Sequence, residues 1–130
     1  MPTKPKAKAA STKLAPTAHD AANVVTDKTW KAQVTGAPTG TLVLVDFWAP
    51  WCAPCKSMGK VLDALLAAPA YAEIVCLKYN LDDGDKQAAK CNVQAIPTLL
   101  LYKNGKQLAR SEGAMPRAGL VAFLKLFVGV

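Results

Sequence analysis

One histidine, four cysteines and no arginine cluster set the first limits on this 130-residue chain. His19 stands near the N-terminus, and of Cys52, Cys55, Cys76 and Cys91 only the first two are closely spaced. Two scattered cysteines without a second close pair are not the ligand set of a zinc finger or ribbon, so no metal centre is expected. No apolar run approaches the roughly 18 residues needed to cross a bilayer. The longest, near the C-terminus, is interrupted by Lys125. The N-terminus has no apolar stretch of the secretory kind either. A cytoplasmic protein without a membrane partner is therefore expected. The net charge is +7, but no aromatic residues are interleaved with basic ones, so nucleic acid is not an expected partner.

The positive charge is unevenly placed. Lys4, Lys6, Lys8 and Lys13 precede the first acid, Asp20, which leaves residues 1–20 with a net +3. A solvated, flexible basic tail over residues 1–21 is the expectation, with residues 22–130 as the folded domain. A targeting peptide for the mitochondrion or another organelle is the rival reading, because Ala, Ser and Thr are frequent there. Against it stand the absence of Arg and the helix-breaking Pro2, Pro5 and Pro16. The hydrophobic content of 52% suffices for one core in which a sheet is covered by helices.

What the chain does contain is Trp51-Cys52-Ala53-Pro54-Cys55-Lys56, placed between an apolar run, Thr41 to Trp48, and a helical pattern. Two thiols two residues apart at a helix start can open and close a disulfide without moving the backbone. The unpaired N–H groups and partial positive charge of the helix start favour a thiolate. A free thiol with a pKa of about 8.5 is only about 3% ionised at pH 7, and each unit of depression raises that fraction nearly tenfold until it saturates. The placement converts a weak nucleophile into a usable one. In a chain of this type the pair reads as redox chemistry, not as structural bridging.

Ala22 to Val25 is expected to form a short first strand, and Thr26 or Asp27 to cap a short helix carrying Trp30 and Val34. Gly36 to Gly40 is a turn. The run 42–48 is apolar on both faces, as a central strand between helices would be. A helix from about Ala53 buries Met58, Val61, Leu62, Leu65 and Leu66, and Pro69 marks its end. Glu73 to Tyr79 is a strand, and Asp82 to Asp85 leads into a short helix with Ala88, Ala89 and Cys91. Thr98 to Tyr102 is a strand joined by Asn104-Gly105, a strong hairpin signal, to Gln107 to Ser111. Pro116 opens a final helix with Leu120, Val121, Phe123, Leu124 and Phe127. Alternating strands and helices give an α/β layered domain without internal repeats.

Asp46 interrupts the apolar strand, and Phe47 and Trp48 continue the run beyond it. An ionised carboxylate is costly in a dry core, which fits Asp46 to hold a proton and to exchange it with Cys55. Exposure of Asp46 at a strand end is the plain alternative.

Four segments together resemble the thioredoxin family: Val45 to Lys56, Ile96-Pro97-Thr98-Leu99-Leu100-Leu101, Lys103-Asn104-Gly105 and Gly113-Ala114. They occur in the family's order and at its spacing, and the similarity covers roughly residues 22–130. The resemblance implies the thioredoxin fold, a central mixed sheet flanked by about four helices, and protein disulfide reductase activity without a cofactor. It implies that Cys52 is the attacking nucleophile and Cys55 the resolving thiol, and that Lys78 is the partner lysine that tunes Asp46. It implies a cis Ile96-Pro97 bond facing the dithiol. Trp51, Ala53, Pro54, Ile96, Pro97, Gly113 and Ala114 would line the substrate surface, with Trp48 and Trp51 packed around the site. The implied partners are a thioredoxin reductase and disulfide-containing target proteins, met by a monomer.

The sequence also departs from the family. Ala53 stands where the best-known members have glycine, which should alter redox poise modestly. Lys60 replaces a helix-kinking proline, so a straighter helix, or a bend eased by Gly59, is expected. Glu112 replaces an apolar rim residue and should favour basic targets. Cys76 alternates with Val75 and Leu77 as core filling. Cys91 reads as a buried structural thiol, with oxidative regulation as the alternative. A disulfide oxidase or isomerase, and a redox-independent binding subunit, are the competing functions; Ala-Pro between the cysteines argues against the first, and the intact Cys52, Cys55, Asp46 and Pro97 against the second.

Overall fold

The run from Leu42 to Trp48 is apolar on both sides because both sides are covered. The computed structural model describes residues 23–128, and the expected basic tail, residues 1–21, lies outside the described residues. Strand β1 (Leu42–Trp48) is buried along its length apart from Trp48. It pairs in parallel with β2 (Ile74–Asn80) and antiparallel with β3 (Thr98–Lys103), and β3 pairs antiparallel with β4 (Lys106–Glu112). The mixed sheet has the order β2-β1-β3-β4. A parallel neighbour requires a crossover, and helix α1 (Ala53–Leu66) supplies it. Two more α-helices follow, α2 (Lys86–Lys90) and α3 (Arg117–Val128).

Period-two alternation sorts the strands into two cores. Leu42, Leu44, Leu99 and Leu101 meet Met58, Leu62 and Leu65 of α1 and Leu120 and Leu124 of α3. On the other face Val43, Val45, Phe47, Tyr79 and Tyr102 meet Trp30, Val34 and Ala88 of α2. The Trp30 ring packs edge-on against Tyr79 and Tyr102 at centroid distances of 5.9 and 5.7 Å. Alternation puts Asp46 on the same side as Leu42 and Leu44, between the sheet and α1.

The N-terminal elements differ from expectation. Of the strand expected over residues 22–25, residue 22 lies outside the described residues, and the rest form one bridge, Val24 to Lys78, beside a Val25 N–H that donates to the Lys78 carbonyl at 3.0 Å. The chain turns away at once, with the Thr26 N–H donating to Thr29 Oγ1. Trp30 and Val34 are buried by a single π-helical turn, Lys31–Thr35, whose first residues receive no side-chain cap. Asp27 is used elsewhere. Its carboxylate accepts from the Gln87 and Lys86 N–H groups at 3.0 and 3.2 Å and from the Tyr79 hydroxyl, so it caps α2 from about sixty residues away.

Burial opposes the Asp27 charge, but the bonds from Tyr79, Gln87 and Lys86 outweigh it and hold its carboxyl below the usual range. Burial, reinforced by that same bond, pushes the Tyr79 hydroxyl up to about 12. Because the folded value for Asp27 is depressed, its stabilisation is present above the unfolded pKa and fades as pH falls through the folded one. Asp27→Ala should cost about 1 kcal/mol near neutrality, as loss of a helix cap does. Urea denaturation at pH 7 and at acid pH checks this; the deficit should shrink in acid.

Asn104 and Gly105 take positive φ, 54° and 79°, as the two central residues of a hairpin turn. A side chain at Gly105 would begin 2.8 Å from the Thr35 carbonyl oxygen, and Asn104 Oδ1 accepts the Gly40 N–H at 2.8 Å. A bulge shifts the β3–β4 register between Leu101 and Tyr102. Helix α3 starts directly after Pro116, as expected.

Candidate active site

Strand β1 ends at Trp48, and the Cys52 N–H donates to the Ala49 carbonyl at 3.1 Å, which turns the chain into α1. Cys52 is the N-cap of that helix, and Pro54 occupies its first turn, where a missing N–H is harmless. The Cys55 N–H donates to Cys52 Sγ at 3.2 Å. Cys52 and Cys55 are joined as a disulfide with their Cα atoms 5.3 Å apart. Cys52 is 6% exposed and Cys55 2%, so both cysteines are buried. Ala49, Trp48 and Ile96 pack around the pair.

Trp51 differs from Trp48. It is 69% exposed. Its indole Nε1–H donates to Asp82 Oδ1 at 3.0 Å, and the Asp82 N–H is tied in turn to Asn80 Oδ1. The Ile96–Pro97 bond is cis. The Gly113 N–H donates to the Pro97 carbonyl at 2.8 Å, which joins the two segments into one rim. Gly113 has φ +92°, and a side chain there would meet no atom of the protein within 4 Å, so the space above it is open. Ala53, Pro54 and Ala114 are exposed on the same side of the molecule as an open apolar groove of about 290 Å³ that runs from Pro54 and Val61 to Ala114 and Met115.

Asp46 is buried, and not exposed at a strand end. Its Oδ2 accepts from Lys78 Nζ at 2.8 Å, across the β1–β2 register that pairs the two residues. Lys78 Nζ also lies 3.4 Å from Asp63 Oδ1 of α1. Burial works against the Lys78 ammonium, but Cys76, Asp46 and Asp63 around it outweigh that and raise its pKa above that of an ordinary lysine. Gly59, one turn beyond Cys55 on the same face of α1, is buried, and a methyl there would sit 3.8 Å from Lys78 Nζ. The ion pair thus lies between the sheet and α1, beside Gly59, one helical turn beyond Cys55.

Cys76 and Cys91 are free and partly buried. Burial pushes the Cys76 thiol up to about 12, so it stays protonated near neutrality and serves as core filling. Cys91 closes α2, and its Sγ lies 3.3 Å from the Tyr102 hydroxyl. Glu112 is not a free rim charge: Arg110 Nη1 donates to its Oε2 at 3.0 Å. Arg110 also donates to the Asn92 and Cys91 carbonyls, bracing the segment that leads to Pro97. Among the described residues no group of three or more His, Cys, Asp or Glu side chains is arranged to hold a metal ion. None of their helices is long and apolar enough to cross a membrane.

Sequence reasoning singled out the dithiol, Asp46, Lys78 and the rim, and missed Asp63, Gly59, Asp82 and Arg110. The acidic cluster 82–85 was visible, but its link to Trp51 was not. Asp63 falls between the apolar positions Leu62 and Leu65, and its spacing of eight from Cys55 was the available signal.

The chain matches the family model described as Thioredoxin over residues 21–126. It is 47% identical over 83 residues to a thioredoxin of Haemophilus influenzae, covering 63% of this chain and 76% of that protein. Over 100 residues it is 42% identical to thioredoxin C-2 of Corynebacterium nephridii, covering 76% and 89% of the two. It is 44% identical over 98 residues to the chloroplastic M-type thioredoxin of Pisum sativum, of which it spans 55%, and 75% of this chain is covered. The crystal structure of Malassezia sympodialis thioredoxin superposes with a TM-score of 0.69 at 30% identity, covering 79% of this chain and 86% of that one. With the mixed sheet, the dithiol at the helix start and these matches in hand, the chain belongs to the thioredoxin family of protein disulfide oxidoreductases.

Proposed function

We propose that this protein is an electron carrier that reduces disulfides in other proteins and is itself restored by a thioredoxin reductase. The observation that carries the reading is the position of Cys52 Sγ, at the α1 N-cap and within hydrogen-bond reach of the Cys55 N–H. In the reduced protein that N–H and the positive helix end favour a thiolate on Cys52. The thiolate attacks one sulfur of the target disulfide, and the other target sulfur leaves and takes up a proton. Asp46 then accepts the proton of the Cys55 thiol. The Cys55 sulfur attacks Cys52 Sγ, the bond from Cys52 to the target breaks, and the second target thiol is released. Two electrons have passed to the target, and the Cys52–Cys55 disulfide remains.

Lys78 tunes Asp46 in this scheme by holding its carboxylate. Trp51, Ala53, Pro54, Ile96, Pro97, Gly113 and Ala114 form the surface that receives an extended target segment, which pairs with the backbone at Ile96. Residues 22–130 are the catalytic domain, and residues 1–21 form a tail outside it. The protein works as a monomer in the cytoplasm, the alternative being an organelle reached through that tail.

A trapping experiment tests the scheme. Cys55→Ser, in the full chain and reduced beforehand, should remain covalently joined to an insulin chain through Cys52, and dithiothreitol should release it. No adduct, or an equal adduct from Cys52→Ser/Cys55→Ser, would favour a redox-independent binding role.

A further inference from the structure

We infer that Asp63 is a positioning residue for the proton-transfer step, acting through the Lys78 ammonium to set how tightly the Asp46 carboxylate is held. The inference rests on the role proposed for Asp46 above. One cation is shared here between two anions of unequal access. Lys78 Nζ is 2.8 Å from Asp46 Oδ2 and 3.4 Å from Asp63 Oδ1. The Asp46 and Lys78 side chains are 2% and 3% exposed, whereas that of Asp63 is 26% exposed. Asp63 therefore stands where the sealed pair meets solvent.

Helical geometry explains why this residue reaches the pair. Cys55, Gly59 and Asp63 are spaced by four along α1 and form one file on its surface. Gly59, in the middle of the file, lies beside the ammonium, where a methyl would meet Nζ at 3.8 Å, an ordinary contact. The groups that face Lys78 are Asp46 from β1, Cys76 from β2 and Asp63 from α1. Lys60, one turn before Asp63, is exposed. The Cys76 thiol is neutral near pH 7 and adds no charge.

Two effects of Asp63 have the same sign. Its negative charge draws on the ammonium that Asp46 also uses, and it repels the negative charge of Asp46 directly. Both loosen the hold on the Asp46 carboxylate. Removing the Asp63 charge leaves Lys78 wholly to Asp46, so that carboxylate is held more tightly. Since Asp46 must be a carboxylate to accept the Cys55 proton, the rising limb of the pH–rate profile should move toward acid, by roughly half a unit to one unit.

The test is the rate of insulin disulfide reduction by the full chain as a function of pH. It compares wild type, Asp63→Asn and Asp63→Glu, each also with Asp46→Ala. The Asn variant should move the limb toward acid, the Glu variant should return it, and neither should matter once Asp46 is alanine. Asp63→Ser carries the same test if the Asn variant does not fold. A limb that stays in place in Asp63→Asn, although Asp46→Ala removes it, overturns the inference and leaves the Asp46 role standing. An equal shift with and without Asp46 also overturns it, because Asp63 would then act elsewhere. A profile unchanged by Asp46→Ala removes the Asp46 role, and this inference with it.

Discussion

Cys52→Ser should abolish disulfide reduction, with a loss of at least about 10³-fold, equivalent to more than about 4 kcal/mol on the barrier. Three features combine to make the loss so large. A hydroxyl does not ionise in the range that a helix start can reach, so the nucleophile itself disappears. Serine cannot form the sulfur–sulfur bond of the intermediate. Cys55 should not take over, because it is 2% exposed within the first turn of α1. The fold should tolerate the change, since Ser is among the best N-cap residues and its oxygen can accept the Cys55 N–H that Cys52 Sγ accepts now. Insulin reduction coupled to a thioredoxin reductase gives the rate, and circular dichroism checks the fold. A folded Cys52→Ser protein retaining a tenth of the activity would refute the assignment of Cys52 as nucleophile.

The second large effect is on stability. Lys78→Met should destabilise the protein by about 3–5 kcal/mol at pH 8, the usual cost of removing one member of a buried ion pair. The cost is high because Asp46 keeps its burial while losing its Nζ donor. Its Oδ1 has no hydrogen-bond partner among the described residues to compensate. The pH dependence has a definite sign. The wild-type lysine has a raised pKa, so its stabilisation is full below the unfolded value of about 10.4 and is lost as pH rises through the folded one. In Lys78→Met the deficit should be full at pH 8 and fall away at strongly alkaline pH, where the wild-type lysine loses its proton. Adding Asp46→Leu should recover most of the loss. Urea denaturation at several pH values decides the matter, and a deficit below about 1 kcal/mol at pH 8 would show that the pair contributes little.

Local signals in the sequence carried much of this structure. The run from Leu42 to Trp48 identified a strand covered on both faces, and it placed Asp46 inside, because Phe47 and Trp48 kept the pattern apolar beyond it. Asn104-Gly105 located its hairpin, since few residues tolerate two successive positive φ angles. Cys-Ala-Pro-Cys located the helix start. What stayed hidden depended on distant partners. Asp27 looked like the cap of the helix that follows it, yet its carboxylate serves α2, about sixty residues on. Asp63 drew no reading from the sequence, because nothing local marks a cation that arrives from β2. Glu112 read as a free charge until Arg110, two residues earlier on the same side of a strand, was seen to meet it. Among the described residues the expected first strand is reduced to Val24 and Val25 beside Lys78, because the chain turns away at once.

The shifted β3–β4 register has a consequence for how the molecule behaves in company. Among the described residues strand β4 is the last in the sheet, and an edge of this kind is a template for another chain. The bulge near Leu108 breaks the regular spacing on which such an addition depends, and Lys106, Arg110 and Glu112 put charges of both signs along the border. Copies of the protein crowded together should therefore resist fibril growth along this margin.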